Sequence, residues 1–277
     1  MANISAQDVY KLRDLTGAGV MDCKNALVES EGDFEKAIEI LRKKGQKLAV
    51  KRADREANEG YVIAATDESN TFGAVIMMNC ETDFVAKNED FISATKSFID
   101  AAIAFKPKNI EELNALQIDG RSIADHTTDL VGKIGEKINL AHYEFIEAPC
   151  VVVYNHYNHR ISTVVGLSEG GEKSMEAGKD ITMQIASMKP IAIDKDDVSP
   201  DIIAKEIEIG KDQARQEGKP EEMLEKIAQG KLNKFYKENT LVNQDYIKDG
   251  SMTVAQYLKS VNPNLKVTKF HRLALGE

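Results

Sequence analysis

"AVIMMNCETDFVAKNEDF", residues 74–91, joins a predicted strand to a predicted helix across a short acidic segment. The apolar run at its start is typical of a buried strand. Two carboxylates, Glu81 and Asp83, come after that run, and a large aromatic residue, Phe84, follows at once. Phe84 is either a core residue at a corner between strand and helix or an aromatic wedge offered to a partner. The residues alone leave both interpretations open.

The segments around this stretch repeat one pattern. Residues 60–66 and 72–78 have the composition of two strands joined by a turn, and a helical pattern follows at 91–103. The same order of hairpin and helix recurs between residues 142 and 190. The repeat predicts an α+β fold with two similar halves, each an antiparallel sheet covered by helices. Between the halves, the apolar stripe of residues 110–140 predicts helical structure.

The first 55 residues predict a separate bundle of three short helices. Ser5 and Asp8 have the spacing of a capping box at the start of the first helix, whose apolar stripe ends at Leu15. Gly45 is placed to end the third helix. The charged segment 44–60 indicates a solvated helix or linker, with a domain boundary at about residue 55.

Residues 198–238 predict an antiparallel helical hairpin inserted in the second half. Ser199 with Pro200 is a good helix start, and residues 218–220 form the turn. Many charges flank a narrow apolar seam, so we expect an arm that projects from the body. A purely structural arm and a contact surface, including one for self-association, are both open. The predicted units are therefore residues 1–55, 56–140 and 141–277.

Charge and cysteine content narrow the function class. The net charge of the 277-residue chain is −9, which argues against direct nucleic-acid binding because such domains usually carry a basic stripe. The three cysteines, Cys23, Cys80 and Cys150, are far apart and odd in number, as expected for reduced thiols. The polar N-terminus is unlike a signal peptide, and no apolar run approaches the ~20 residues of a membrane span. We expect a cytoplasmic protein without a membrane partner.

Signatures of catalytic and metal sites are missing from the sequence. The oxygen-rich residues 79–90 lack the spacing and central glycine of a calcium loop. The five histidines are scattered, and no serine or cysteine nucleophile signature occurs. Residues 16–19, "TGAG", lack the Gly-Lys-Ser/Thr ending of a phosphate loop. We expect a protein that is not an enzyme and uses no metal or cofactor.

Two segments resemble the signature motifs of the bacterial translation elongation factor Ts family. They are "LRDLTGAGVMDCKNAL", residues 12–27, and "NCETDFVAKNEDF", residues 79–91. "VGKIGEKINL", residues 131–140, and "GKPEEMLEKIAQGKLNKF", residues 218–235, resemble further family segments in the expected order. The resemblance covers nearly the whole chain, and two long motifs at the right separation make it specific.

The resemblance implies a fold and a function. Family members have a three-helix N-terminal domain similar to ubiquitin-associated domains, two similar α+β halves and an inserted helical hairpin. They are guanine nucleotide exchange factors that release GDP from elongation factor Tu. Thr82, Asp83, Phe84 and Val85 match the loop that displaces the partner's magnesium, which implies that Phe84 is exposed in the free protein. The rival hypothesis is a scaffold or ribosome-associated protein built on the same three-helix module.

Other positions match the family less closely. Leu12, Val20 and Met21 match apolar residues that pack on the partner's GTPase domain, although Val20 stands where some members have methionine. His156 matches a histidine at a contact of the core, in a turn that is longer here. Some members continue past the position of Glu277 into a further helix, so the resemblance implies that this contact is absent.

Overall fold

Helices and antiparallel sheets alternate along the part of the chain that the computed structural model describes, residues 4–277. The predicted α+β class is confirmed. Residues 1–3, part of the polar N-terminus that argued against a signal peptide, lie outside the described residues. Within residues 4–277, no helix is long and apolar enough to cross a membrane.

The N-terminal module consists of α1 (Ala6–Thr16), α2 (Val20–Glu29) and α3 (Phe34–Arg52). The predicted capping box is confirmed, because the Asp8 backbone N–H donates to Ser5 Oγ (3.1 Å) and the Ser5 N–H donates to the Asp8 carboxylate (3.2 Å). The three helices bury a small apolar core of their own, which includes Val9, Leu12, Cys23, Leu27 and Ala37.

The first half contains a hairpin, a set of helices and a returning strand. Its elements are β1 (Glu59–Thr66), β2 (Phe72–Cys80), α4 (Asp83–Ala86), α5 (Glu89–Phe105), α6 (Ile110–Ala115), β3 (Gln117–Ile118), β4 (Arg121–Ser122), α7 (Ile123–Ile134) and β5 (Ile138–Glu147). The sheet order is β1-β2-β5, with both pairs antiparallel.

Part of the prediction for residues 110–140 is wrong. Helices α6 and α7 are present, but Ile138 and Leu140 lie in strand β5 and point to the buried side around the less buried Asn139. This period of two is that of a strand, and the tertiary pairing of Ile138 with Cys80 fixes it. The predicted boundary after residue 140 falls inside β5. The division into residues 1–55, 56–140 and 141–277 stays a prediction.

The second half has the same order of elements. It contains β6 (Cys150–Asn155), β7 (Ile161–Leu167), α8 (Glu172–Met188), α9 (Pro200–Gln216), α10 (Glu221–Asn239), β8 (Asp245–Tyr246), β9 (Asp249–Thr253), α11 (Val254–Val261) and β10 (Val267–Ala274). The sheet order is β10-β7-β6. In each half the hairpin comes first, a long helix follows, and the third strand pairs with the second strand of the hairpin. The predicted repeat is confirmed.

The two sheets pack face to face. Val75 and Met77 of β2 meet Val151 and Val164 of the second sheet in a shared apolar layer. The alternate residues of β2, such as Ile76, face α5, and those of β7, such as Val165, face α8. The core is thus layered as helix, sheet, sheet and helix, and the two halves share its central layer.

Helices α9 and α10 form the predicted hairpin, which we call the arm. Ser199 Oγ accepts from the Ile202 N–H (3.4 Å), and Pro200 occupies the first helical position, so the predicted helix start is confirmed. The helices approach closely at Gly210, where a Cβ would lie 3.1 Å from the Ala228 Cα. The arm is inserted between α8 and β10.

The predicted end of the third helix at Gly45 is wrong. Helix α3 continues to Arg52, and Gly45 lies buried in its middle. A Cβ on Gly45 would lie 3.3 Å from the Gly132 Cα of α7. Gly45 therefore provides the close approach of two helices, and the second part of α3 attaches the module to the first half.

Candidate protein-binding site

The turn after β2 places residues 82–85 at one end of the first sheet. Thr82 caps the four-residue helix α4, with its Oγ1 accepting from the Val85 N–H (3.4 Å). Val85 is buried in the core of the first half. Because Val85 takes the inward position of so short a helix, the residue before it is turned outward. We call residues 82–85 the site loop.

Phe84 is the most exposed feature of the site loop, with 82% of its surface accessible. This confirms the prediction that Phe84 is accessible in the free protein. Asp83 beside it is half exposed and accepts a hydrogen bond from Lys87 Nζ (2.7 Å). That hydrogen bond and the charge of Lys87 hold the pKa of the Asp83 carboxyl below its usual value, so Asp83 is ionised at neutral pH.

Glu81, the other carboxylate of the quoted stretch, has a different environment. Its side chain is only 16% exposed and accepts from Arg52 Nη1 (2.6 Å) and from Arg55 Nη1 (3.0 Å). It also accepts from the Lys137 backbone N–H (2.6 Å). Burial alone would raise the pKa of Glu81, but these donors outweigh it and lower the pKa to about 2. Glu81 and Asp83 therefore do not form a pair of cooperating acids.

Glu136 also contacts the site loop, and residue-by-residue reasoning on the sequence missed it. Its carboxylate accepts from the Thr82 Oγ1 (2.8 Å) and from the Thr82 backbone N–H (3.1 Å). The only signal in the sequence was its position within "VGKIGEKINL", the segment that resembles the family. Nothing local to Glu136 indicates a partner 54 residues away.

The N-terminal module exposes apolar side chains where α1 turns into α2. Met21 is 62% exposed and Val20 is 38% exposed. Leu15 was predicted to face the module's core, and this is wrong, because it is 63% exposed next to the turn. Leu12 is completely buried inside the module. Its side chain is therefore not available to a partner in this structure, and Leu15 takes its place in the exposed patch.

His156 lies in the turn between β6 and β7. Its Nδ1 is 2.7 Å from the Tyr154 hydroxyl, and Tyr157 beside it is 86% exposed. The same turn is joined to β1 by an ion pair between Arg160 and Glu59. Since Glu59 lies opposite Cys80 in the sheet, the turn lies at the end of the core that also carries the site loop.

The site has the character of a contact surface. Among residues 4–277, no group of three or more His, Cys, Asp or Glu side chains is arranged to hold a metal ion. Burial raises the pKa of the nearby Cys80 thiol to about 12, so it is not a thiolate at neutral pH. What the site presents is an exposed aromatic side chain beside an ionised carboxylate on an anchored turn. Such a pair suits insertion into another protein.

Comparison with known proteins matches the whole chain to one family. A family model described as elongation factor TS matches residues 81–277. Elongation factor Ts of Amoebophilus asiaticus is 51% identical over 274 residues, covering 99% of both chains. The elongation factors Ts of Christiangramia forsetii and Flavobacterium psychrophilum are 51% and 52% identical over 276 residues, covering all of both chains.

Proposed function

Because this chain belongs to the elongation factor Ts family, we propose that it is a guanine nucleotide exchange factor that releases GDP from elongation factor Tu. The observation that carries the proposal is the exposure of Phe84 beside the ionised Asp83 on a turn anchored from behind. No bond is made or broken in this activity, so it needs no nucleophile or general base. The activity supports the elongation step of protein synthesis.

The site loop acts on the magnesium-binding region of the partner's GTPase domain. Bound GDP is held there by a backbone phosphate cradle and by Mg²⁺ that bridges protein and phosphate oxygens. Phe84 inserts as a wedge between packed elements, which respond by switching arrangement. Asp83 takes hydrogen bonds or changes the charge balance around the metal. Loss of the metal weakens the hold on GDP.

GDP and the exchange factor weaken each other's binding to elongation factor Tu, and this explains how the exchange factor is released. If the exchange factor lowers the affinity of elongation factor Tu for GDP by a given ratio, bound GDP lowers the affinity of elongation factor Tu for the exchange factor by the same ratio. The ternary complex of elongation factor Tu, GDP and the exchange factor is therefore transient. GTP then enters the empty site, and the exchange factor is released for another round.

Val20, Met21 and Leu15 form a second contact, and His156 forms a third. Support for the second contact comes from the exposure of these three apolar side chains, which lie at the end of α1 and the start of α2. Support for the third comes from the position of the His156 turn at the same end of the core as the site loop. The N-terminal module and the core then bind the same partner, the core through both the site loop and the His156 turn.

The decisive experiment follows release of fluorescent GDP from preloaded elongation factor Tu. The parent chain should accelerate release in magnesium buffer, and Phe84→Ala should remove most of the acceleration. Phe105→Ala is a matched control, because Phe105 is 64% exposed at the far end of the 17-residue helix α5, about 25 Å along its axis. A parent chain that binds without accelerating release would favour the scaffold hypothesis.

The arm provides a further contact surface, and we propose self-association through it. Three apolar side chains of the arm are exposed: Ile202, Ile209 and Met223. Sedimentation at increasing concentration should show a dimer that Ile209→Lys abolishes, while the same substitution leaves GDP release unchanged. A monomer at all concentrations would contradict this role of the arm.

A further inference from the structure

Two glutamates continue the pairing of β2 and β5 beyond the end of their ladder. The last backbone pair joins Cys80 and Ile138. Past this pair, the Glu81 carboxylate accepts from the Lys137 N–H (2.6 Å), and the Glu136 carboxylate accepts from the Thr82 N–H (3.1 Å). The arrangement is reciprocal: Glu81 accepts from the residue after Glu136, and Glu136 accepts from the residue after Glu81. We call this reciprocal arrangement the carboxylate lock.

The lock also holds the end of α3. Arg52 donates to Glu81 at 2.6 Å, and both side chains are largely buried, with exposed fractions of 22% and 16%. Lys137 Nζ donates to the backbone carbonyls of Ala53 (2.6 Å) and Arg55 (2.7 Å), which follow the last turn of α3. The N-terminal module and the site loop are therefore both anchored at the end of the β2–β5 ladder.

The site loop needs such fastening because its own structure is weak. Helix α4 has only four residues, far fewer than a helix needs to be stable alone. Only Val85 packs into the core from the loop, while Phe84 gains almost nothing from the rest of the chain. Hydrogen bonds to charged carboxylates are among the strongest in proteins, and two of them restrain Thr82 directly.

We propose that Glu81 and Glu136 are positioning residues that hold Phe84 ready for insertion into the partner. This inference rests on the proposed function. Neither glutamate needs to touch the partner, because both lie behind the site loop. A loop ordered in advance loses less conformational entropy when it inserts, so more of the binding free energy is available to displace the metal.

The test compares GDP release by parent chain and variants at saturating factor, with magnesium and with a chelator. Glu136→Ala should lower the maximal release rate in magnesium by about fivefold, because Thr82 then loses both of its hydrogen bonds to the carboxylate. The half-saturating concentration should change little, since the other contacts remain. With chelator, the variant should match the parent, because the metal has already been removed. Glu136→Gln, which keeps one acceptor oxygen, should show a smaller loss.

A second measurement does not depend on activity. Amide hydrogen exchange of residues 82–86 should be faster in Glu136→Ala than in the parent, while exchange in the buried strand β7 stays the same. Glu111→Gln, at an exposed glutamate of α6, is the matched control and should change neither quantity.

The outcomes separate this inference from the proposed function. If Glu136→Ala releases GDP at the parental rate while Phe84→Ala is slow, the positioning role is wrong and the proposed function stands. If Glu136→Ala is equally slow with and without chelator, it has damaged the fold generally, and the positioning role is wrong. If Phe84→Ala is as fast as a parent chain that accelerates release, the wedge role of Phe84 is wrong and the positioning role fails with it. If the parent chain itself does not accelerate release, the proposed function fails.

Discussion

At the scale of single residues, neighbours in the sequence have opposite environments. Val85 is 7% exposed and Phe84 is 82% exposed, although both are large and apolar. Successive side chains on a helix lie about 100° apart, so one can face the core while its neighbour faces solvent. Phe84 therefore contributes to the surface that the molecule presents and very little to its stability.

This difference gives a prediction about folding. Phe84→Ala should lower the free energy of unfolding by less than about 1 kcal/mol, because almost no packing is lost. Phe91→Ala is the internal comparison, since Phe91 is fully buried and its truncation should cost about 3–5 kcal/mol. Urea unfolding of both variants measures the difference. Equal losses for the two variants would show that Phe84 is a packing residue.

Glu81 gives a prediction about pH. Its pKa is lowered from the ordinary 4.5 to about 2, so its contribution to stability is complete above pH 4.5 and is lost as the pH falls towards 2. The stability difference between parent and Glu81→Gln should therefore be largest at neutral pH and should shrink on acidification. Urea unfolding at pH 7, 4 and 3 tests this. A difference that stays constant over this range would contradict the lowered pKa.

Single residues also show what the sequence could reveal. The exposure of Phe84 was predictable because the motif that contains it resembles a known partner-binding loop. The environment of Glu81 was not predictable, because its partners lie 29 and 56 residues away in the chain. Local patterns report local structure, and the folded chain alone brings Arg52, Glu81 and Lys137 together.

At the scale of elements, the crossing of α3 and α7 attaches the module to the core. Gly45 and Gly132 lie at the closest point, where neither helix has room for a side chain. The sequence suggested that Gly45 ends a helix, since glycine is common at helix ends. The same residue also permits close helix packing, and only the position of α7 distinguishes the two roles.

A substitution that adds a side chain at this crossing should weaken the packing of α3 against α7. Gly132→Ala would place a Cβ 3.1 Å from the Gly45 Cα, and we expect a loss of about 1–3 kcal/mol from overpacking. Gly230→Ala in α10 is the control, because no atom lies within 4 Å of its Cβ position. There the better helix propensity of alanine should stabilise the chain by about 0.5–1 kcal/mol. Thermal melts that rank the two variants in the reverse order would contradict the packing role.

The arm gives a second prediction at this scale. Its buried residues, such as Ala214, Leu224 and Leu232, lie along the seam between its own two helices. Replacing residues 200–238 with a short glycine linker should therefore leave a folded core that still melts cooperatively, since buried Val198 and Thr240 are retained. Circular dichroism and gel filtration measure this. A molten or aggregated product would show that the arm is required for the core.

At the scale of the whole molecule, the module is joined to the core by more than a linker. Leu48 and Ala49 of α3 pack against the apolar core of the first half, and Arg52 pairs with Glu81. The predicted boundary at about residue 55 would remove these contacts together with the module. The part of the module that packs on the core and the part that we propose to contact the partner are therefore separable.

Two truncations separate them. A chain that begins at Gly45 should keep the core's stability and lose affinity for elongation factor Tu, because it retains the contacts of α3 with the core but lacks Val20 and Met21. A chain that begins at Glu56 should also melt lower, by about 5 °C or more, because Glu81 then loses both arginines. Melting curves and binding isotherms of the two chains test this. Identical melting temperatures would mean that α3 does not support the core.

The position of β10 has a consequence for how the chain is made. Strand β10 pairs with β7, and Val267 lies opposite Leu167, so 100 residues of chain separate the two partners. During synthesis from the N-terminus, the first sheet is complete once β5 has emerged from the ribosome. One edge of β7 stays unpaired until the arm and the last strand have been translated. A ribosome that stalls within the arm therefore holds a nascent chain with an open strand edge in an apolar sheet, which is a state prone to aggregation.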